Sequence, residues 1–271
     1  MEATLNNNRT IFIGDVHGML DELDALINAL DLASGDRLVF LGDIVDKGPD
    51  QVGAVRRVGQ LLDRTDISCV LVRGNHEDQH IRYRHHLTHT PKVARDMASR
   101  KPTLEAFQSG ATDQDAAVLD QALPFWRCPE LNILAVHGGI PGDMLDFPDH
   151  WDEFEHLPKS DKRKLEKIWR TRFIDRETGV FLSNSSQQPD DPFWAEVYDG
   201  RFGHVVFGHE VFMDGPAEFP HATGIDTGAV HGGHLTALVV TPDGKRDYVS
   251  VPGRMCSGTR QSPERTAPNT G

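Results

Sequence analysis

The chain has 271 residues, with 28 Lys plus Arg against 41 Asp plus Glu and a formal charge of -13. Hydrophobic residues at 38% and charged residues at 25% are the proportions of a globular protein and exclude a fibrous or disordered chain. The acidity argues against a nucleic-acid coat and against adhesion to an anionic membrane, since both demand positive charge, while leaving room for one local basic pocket.

The first third alternates. Thr10 to Ile13 is a short apolar run ending in Gly-Asp, and Leu20, Leu23, Leu26, Ile27 and Leu30 follow at helical spacing. Leu38 to Leu41 is again a strand ending in Gly-Asp, and Val52, Val55, Val58, Leu61 and Leu62 predict a second helix. Ile67 to Val72 is a third strand, ending in Arg-Gly-Asn-His-Glu. This order predicts βαβ units and a largely parallel sheet, with polar loops at the strand ends where open α/β sheets place their sites. Residues 77–122 read as polar helices broken by Pro91 and Pro102. Ile133 to Val136 is a buried strand ending in His-Gly-Gly; residues 141–200 read as helices with long loops; Val205 to Phe207 is a strand ending in Gly-His-Glu. Leu235 to Thr241, the turn Pro242-Asp243-Gly244, and Arg246 to Val251 predict a hairpin. One domain is expected over 1–252, with insertions at 77–122 and 141–200 and a disordered tail over 253–271.

No run of about 18 apolar residues predicts a membrane span. The polar first ten residues hold no apolar signal core. Cys69, Cys128 and Cys256 lie outside any CxxC spacing and are expected as reduced thiols, Cys69 as a small core residue. Together these point to the cytoplasm as the expected location.

Five strand ends carry the chemistry: Gly14-Asp15-Val16-His17-Gly18, Gly42-Asp43-Ile44-Val45-Asp46-Lys47-Gly48-Pro49, Gly74-Asn75-His76-Glu77, His137-Gly138-Gly139 and Gly208-His209. Carboxylates, imidazoles and one carboxamide suit manganese, iron or zinc, and suit neither calcium nor a thiolate zinc site. A lone Gly-Asp is an ordinary turn; five polar strand ends in one chain are not coincidence.

In this order the motifs resemble the phosphoprotein phosphatase type of calcineurin-like metallophosphoesterase, over roughly residues 10–250, and are similar to the small bacterial and phage serine/threonine phosphatases. The resemblance implies a four-layer αββα sandwich, an α/β fold of two mixed sheets flanked by helices. It implies two divalent cations, manganese first with iron or zinc as alternatives, held by Asp15 and His17, by Asp43 as the bridge, and by Asn75, His137 and His209. His76 would be the proton donor at the leaving group, oriented by Asp46, and Arg73 with Arg170 or Arg172 would hold phosphate oxygens. Two such cations about 4 Å apart clamp a phosphoryl group and generate a bridging hydroxide for in-line attack.

The implied activity is hydrolysis of phosphomonoesters, with a serine/threonine phosphoprotein, or a small phosphoester, as substrate. Hydrolysis of dinucleoside tetraphosphates is the alternative; relatives of the symmetrical type tend to lack an acid at the place of Asp46, which favours the protein phosphatase. A non-catalytic metal-binding scaffold is a further alternative, opposed by the complete ligand set. No nucleic-acid or membrane partner is expected. Two departures stand out: Lys47 replaces the usual Arg, giving a point charge in place of a planar fork, and Arg170 follows Trp169 directly where one residue usually intervenes. His80, His85, His86 and His89 read as a solvated helix face approaching the site, His231 and His234 as a loop beside it or merely exposed, and Trp151, Trp169 and Trp194 as packing residues.

Overall fold

The computed structural model describes residues 8–183 and 185–256. In chain order the first half contains β1 (Thr10–Ile13), α1 (Leu20–Leu30), β2 (Arg37–Phe40), α2 (Gln51–Leu62), β3 (Ser68–Leu71), α3 (Asn75–His89), α4 (Pro91–Arg100), α5 (Thr103–Gly110) and α6 (Asp113–Asp120). Then come β4 (Trp126–Cys128), β5 (Ile133–Ala135), α7 (Glu153–His156), α8 (Lys159–Leu165), β6 (Phe173–Ile174), β7 (Phe181–Leu182) and α9 (Trp194–Val197). The chain closes with β8 (His204–Phe207), β9 (Ala217–Phe219), β10 (Ala222–Gly224), β11 (His234–Val240) and β12 (Arg246–Pro252).

Two mixed sheets result. The first has the order β12-β11-β1-β2-β3, with β1, β2 and β3 parallel and β11 antiparallel to β1 in the register Phe12↔Leu238. The second has the order β4-β5-β8-β10-β9, with β5, β8 and β10 parallel and an antiparallel strand on each edge. Alternation along each strand decides which layer a side chain joins. Phe12, Val39 and Leu238 of the first sheet meet Ile133, Ala135 and Val206 of the second, forming a core between the sheets. Their neighbours Ile11, Ile13, Leu38 and Phe40 turn outward onto Leu23, Leu26 and Ile27 of α1 and Val55 and Val58 of α2. On the far side, Leu134, Val205 and Phe207 pack against Phe154, Leu165, Trp169 and Trp194. The layers are therefore αββα, and strands buried on both faces read as continuous apolar runs for that reason.

The insertions hold more structure than periodicity predicts. Pro91 is the first residue of α4 and Pro102 sits at the N-cap of α5, so the prolines separate helices without kinking one. The helix expected from residue 77 begins at Asn75, which makes two candidate site residues part of its first turn. Strands β4, β9 and β10 were not predicted; at three residues each they are too short to show alternation. Gly253 to Cys256, expected as the start of the tail, are instead tied to the fold. Gly253 N–H donates to Gly233 O at 2.7 Å, Met255 pairs with His231, and Cys256 N–H donates to Val230 O at 3.1 Å. Residues 257–271 of that expected tail lie outside the described residues. Among the described residues no helix is long and apolar enough to cross a membrane.

Candidate metal centre

The five polar strand ends meet at one edge of the sandwich. Three of the five chain turns there are sharp: His17, Asp43, Asp46, Lys47 and His209 all have positive φ, between 46° and 70°. Non-glycine residues in that region cost free energy and collect at functional sites. Two glycines permit the close approach. A Cβ on Gly208 would stand 2.1 Å from Asp15 Oδ1, and one on Gly74 would stand 2.2 Å from Asp43 Oδ1.

Asp43 is the hub. Its Oδ2 lies 3.3 Å from His137 Nε2, 3.7 Å from His17 Nε2 and 3.7 Å from His76 Nε2. Two donor groups that could each hold a cation share it, His17-Asp43-His76 and Asp43-His137-His209. Asp15 Oδ2 is 3.7 Å from His17 Nε2, and Asn75 Oδ1 is 3.1 Å from His137 Nε2.

The imidazoles are set up as ligands. His17 Nδ1 donates to Val45 O at 2.9 Å and His137 Nδ1 donates to Leu41 O at 2.8 Å, which turns each Nε2 toward Asp43. His209 Nε2 is buried without a hydrogen-bond partner among the described residues. Burial, reinforced by Lys47 for His17 and by Arg172 for His209, holds both rings well below the usual histidine range, so both are neutral. Burial opposes charge on His137 too, but Asp43 and Asp15 outweigh it and raise that ring to about 9. Burial and the neighbouring Asp226 push the Asp15 carboxyl well up. So many acids in a dry pocket call for positive charge. The neutral rings of His17 and His209, the His137 ring whose proton two cations would displace, carboxylates, a carboxamide and an orphaned ring nitrogen fit two divalent cations.

His76 Nδ1 donates to Asp46 Oδ2 at 2.5 Å, which leaves Nε2 facing Asp43. Burial would raise the Asp46 carboxyl, but hydrogen bonds from His76 and His80 hold it far below the usual carboxylate range. His80 corrects an expectation: it leaves the solvated face, is buried against Phe107, and bonds Asp46 Oδ1 through Nε2 at 3.0 Å. His85 and His89 do stay exposed, with rings stacked 4.1 Å apart. His231 is buried close enough to Lys47 to feel its charge, whereas His234 is exposed. Lys47 Nζ donates to His17 Nε2 at 2.7 Å, the lone pair that a cation would take in its stead.

The arginines divide. Arg73 Nη2 donates to Ala122 O at 3.2 Å and its guanidinium lies 5.2 Å above the Trp169 ring. Arg170 packs its backbone against Gly138 and reaches Asp78 at 3.6 Å. Arg172 is engaged with the His209 loop itself, donating to His209 O at 2.8 Å and pairing with Glu210 at 2.7 Å.

Three contributors escaped sequence reasoning. Buried Glu77 accepts from the backbone N–H of Asp43 (2.7 Å), Ile44 (2.8 Å) and Gly74 (2.9 Å), pinning two ligand loops together. Asp226 lies buried near Asp15. Lys101 reaches Asp46 from the helical insertion. The Glu of Gly-Asn-His-Glu was visible, but no local pattern reports a partner in another loop. Glu77→Gln keeps one acceptor and turns an amide N–H against backbone donors; the loss should be about 2–4 kcal/mol of stability, read by urea denaturation. A change under about 0.5 kcal/mol would show that Glu77 does not hold these loops.

The family profile of calcineurin-like phosphoesterases matches residues 9–213. The chain is 27% identical over 260 residues to bis(5'-nucleosyl)-tetraphosphatase PrpE [asymmetrical] of Oceanobacillus iheyensis, covering 89% of this chain and 91% of the relative. It is similar to a crystal structure described as a candidate diadenosine tetraphosphatase, with TM-score 0.65 and 27% identity over 93% of this chain and 96% of the other. A protein serine/threonine phosphatase of Saccharomyces cerevisiae shares the fold, with TM-score 0.55 and 15% identity over 95% of this chain and 83% of that one.

Proposed function

Because the chain belongs to the calcineurin-like phosphoesterase family, we propose that this metallophosphoesterase hydrolyses bis(5'-nucleosyl) tetraphosphates. The observation that carries the substrate is the similarity to the Oceanobacillus enzyme along nearly the whole of both chains. This reading takes precedence over the phosphoprotein substrate expected from the motifs. The argument from Asp46 was set against the symmetrical type, and the relative carries the asymmetrical name. The likeness to the yeast protein phosphatase, at 15% identity, concerns the fold alone.

Asp15, His17, Asp43, Asn75, His137 and His209 would hold two divalent cations, manganese first and iron or zinc as alternatives. Such cations, when bound, supply Lewis acidity that offsets phosphoryl charge and makes a nearby water more acidic. The remaining work belongs to side chains of the chain. His76, oriented through Nδ1 by Asp46, presents Nε2 to the departing oxygen. Arg73 and Arg170 hold non-bridging oxygens; Arg170 is the better placed of the tryptophan-side pair, because its tie to Asp78 is long at 3.6 Å while Arg172 is occupied with the His209 loop. None of Cys69, Cys128 and Cys256 forms a disulfide, and a cytoplasmic setting suits such thiols.

The test is turnover of diadenosine tetraphosphate beside a phosphoserine peptide, with added manganese and products separated by chromatography. The expected products are unequal, AMP and ATP. Preference for the peptide would restore the protein phosphatase reading, and turnover of neither would leave the binding scaffold.

A further inference from the structure

Lys101 ends α4 and is held extended (φ -140°, ψ 85°) ahead of Pro102. From there its ammonium enters the site. Nζ lies 2.5 Å from Asp46 Oδ2, 2.9 Å from Gln79 Oε1 and 2.9 Å from His76 Nδ1. Asp46 thus receives three donors, from His76, His80 and Lys101. One of them would suffice to orient His76. An ammonium has three N–H groups; two face Asp46 and Gln79, and the side chain keeps 22% of its surface exposed beside His76.

The leaving group explains what a second cation could do there. Release of a serine alkoxide requires a proton, which His76 can give. Hydrolysis of a phosphoanhydride differs. Water oxygen forms a bond to the attacked phosphorus, the bond from phosphorus to the bridging oxygen breaks, and that oxygen leaves with the electron pair on a nucleotide phosphate. Water's two hydrogens end as a hydroxyl on the attacked phosphate and a proton released to solvent. A phosphate with a second pKa of about 6 needs little protonation at neutral pH. What it needs is positive charge where its own charge grows.

We propose that Lys101 is a specificity-determining residue that receives the anionic leaving phosphate of a phosphoanhydride and so favours dinucleoside polyphosphates over phosphate esters of alcohols. The inference rests on the substrate reading above. It adds a residue from the helical insertion that no strand-end motif contains.

The experiment compares manganese-loaded parent protein with Lys101→Gln and Lys101→Arg. In Lys101→Gln, kcat/KM for diadenosine tetraphosphate should fall about 30- to 100-fold and that for a phosphoserine peptide, an alcohol ester whose leaving oxygen takes the His76 proton, no more than about fivefold. Lys101→Arg should recover most of the dinucleotide activity, because the charge is kept. Calorimetric titration with a diadenosine tetraphosphate analogue carrying methylene bridges should show about tenfold weaker binding to Lys101→Gln, independent of turnover. Equal losses on both substrates would overturn the inference and reduce Lys101 to a prop for Asp46. A parent protein that turns over p-nitrophenyl phosphate but no dinucleotide would overturn the substrate reading itself, and this inference with it. Retained ester turnover in Lys101→Gln shows that the variant folds.

Discussion

Replacing Asp43 by Asn should remove both metal binding and turnover. Asp43 is the residue shared by the two candidate donor groups among the described residues, and its Oδ2 lies within 3.3–3.7 Å of ring nitrogens of His137, His17 and His76. An amide in its place keeps the shape and can still accept the His76 N–H, a 2.9 Å bond to Oδ1 in the parent, but it loses the charge that pays for bringing two cations into a buried pocket. Elemental analysis after dialysis should find the ion count fall from two per chain toward zero, and kcat/KM should fall by about a thousandfold or more. Circular dichroism should be unchanged. A variant that kept two ions and a tenth of its activity would show that Asp43 does not bridge.

The second large effect belongs to His76. Its place is ambiguous by distance alone, since Nε2 lies as near to Asp43 as that of His17 does, both at 3.7 Å. The difference lies at the other nitrogen. His17 Nδ1 donates to a backbone carbonyl, whereas His76 Nδ1 donates to the Asp46 carboxylate, an arrangement suited to handing over a proton and regaining it. His76→Asn should therefore keep two ions per chain and lose about a hundredfold to a thousandfold in kcat on a phosphoserine peptide, whose alkoxide needs the proton. The dinucleotide should suffer less, because its leaving phosphate needs little proton. Loss of one ion on His76→Asn would make this residue a ligand and defeat the assignment.

Much of the site was legible in the sequence for a simple physical reason. A strand buried on both faces is a short apolar run, and the chain must turn where it ends. Polar residues at five such ends therefore announce a shared edge before any coordinates exist. Asp15, Asp43, His137 and His209 were readable in this way, and the structure does bring them together. Asn75 and His76 were readable as residues, though not as the first turn of a helix. The arginines were readable only as candidates. Their division of labour depends on whether Asp78 or Glu210 lies opposite, and no spacing encodes that.

The sequence by itself determined the βαβ alternation, the order of the ligand loops and the donor chemistry, because those follow from the apolar runs and from residue type; the αββα layering came only through the family resemblance, because no local period reports which two sheets pack face to face. Tertiary structure alone decided that His80 turns inward to Asp46, that Glu77 ties two ligand loops, and that Lys101 delivers a second cation beside His76. Those contacts join the helical insertion to strand-end loops far away in the chain. Their partners are chosen by packing of α3, α4 and α5 on one another, and a sequence without a local period at those positions carries no trace of that choice.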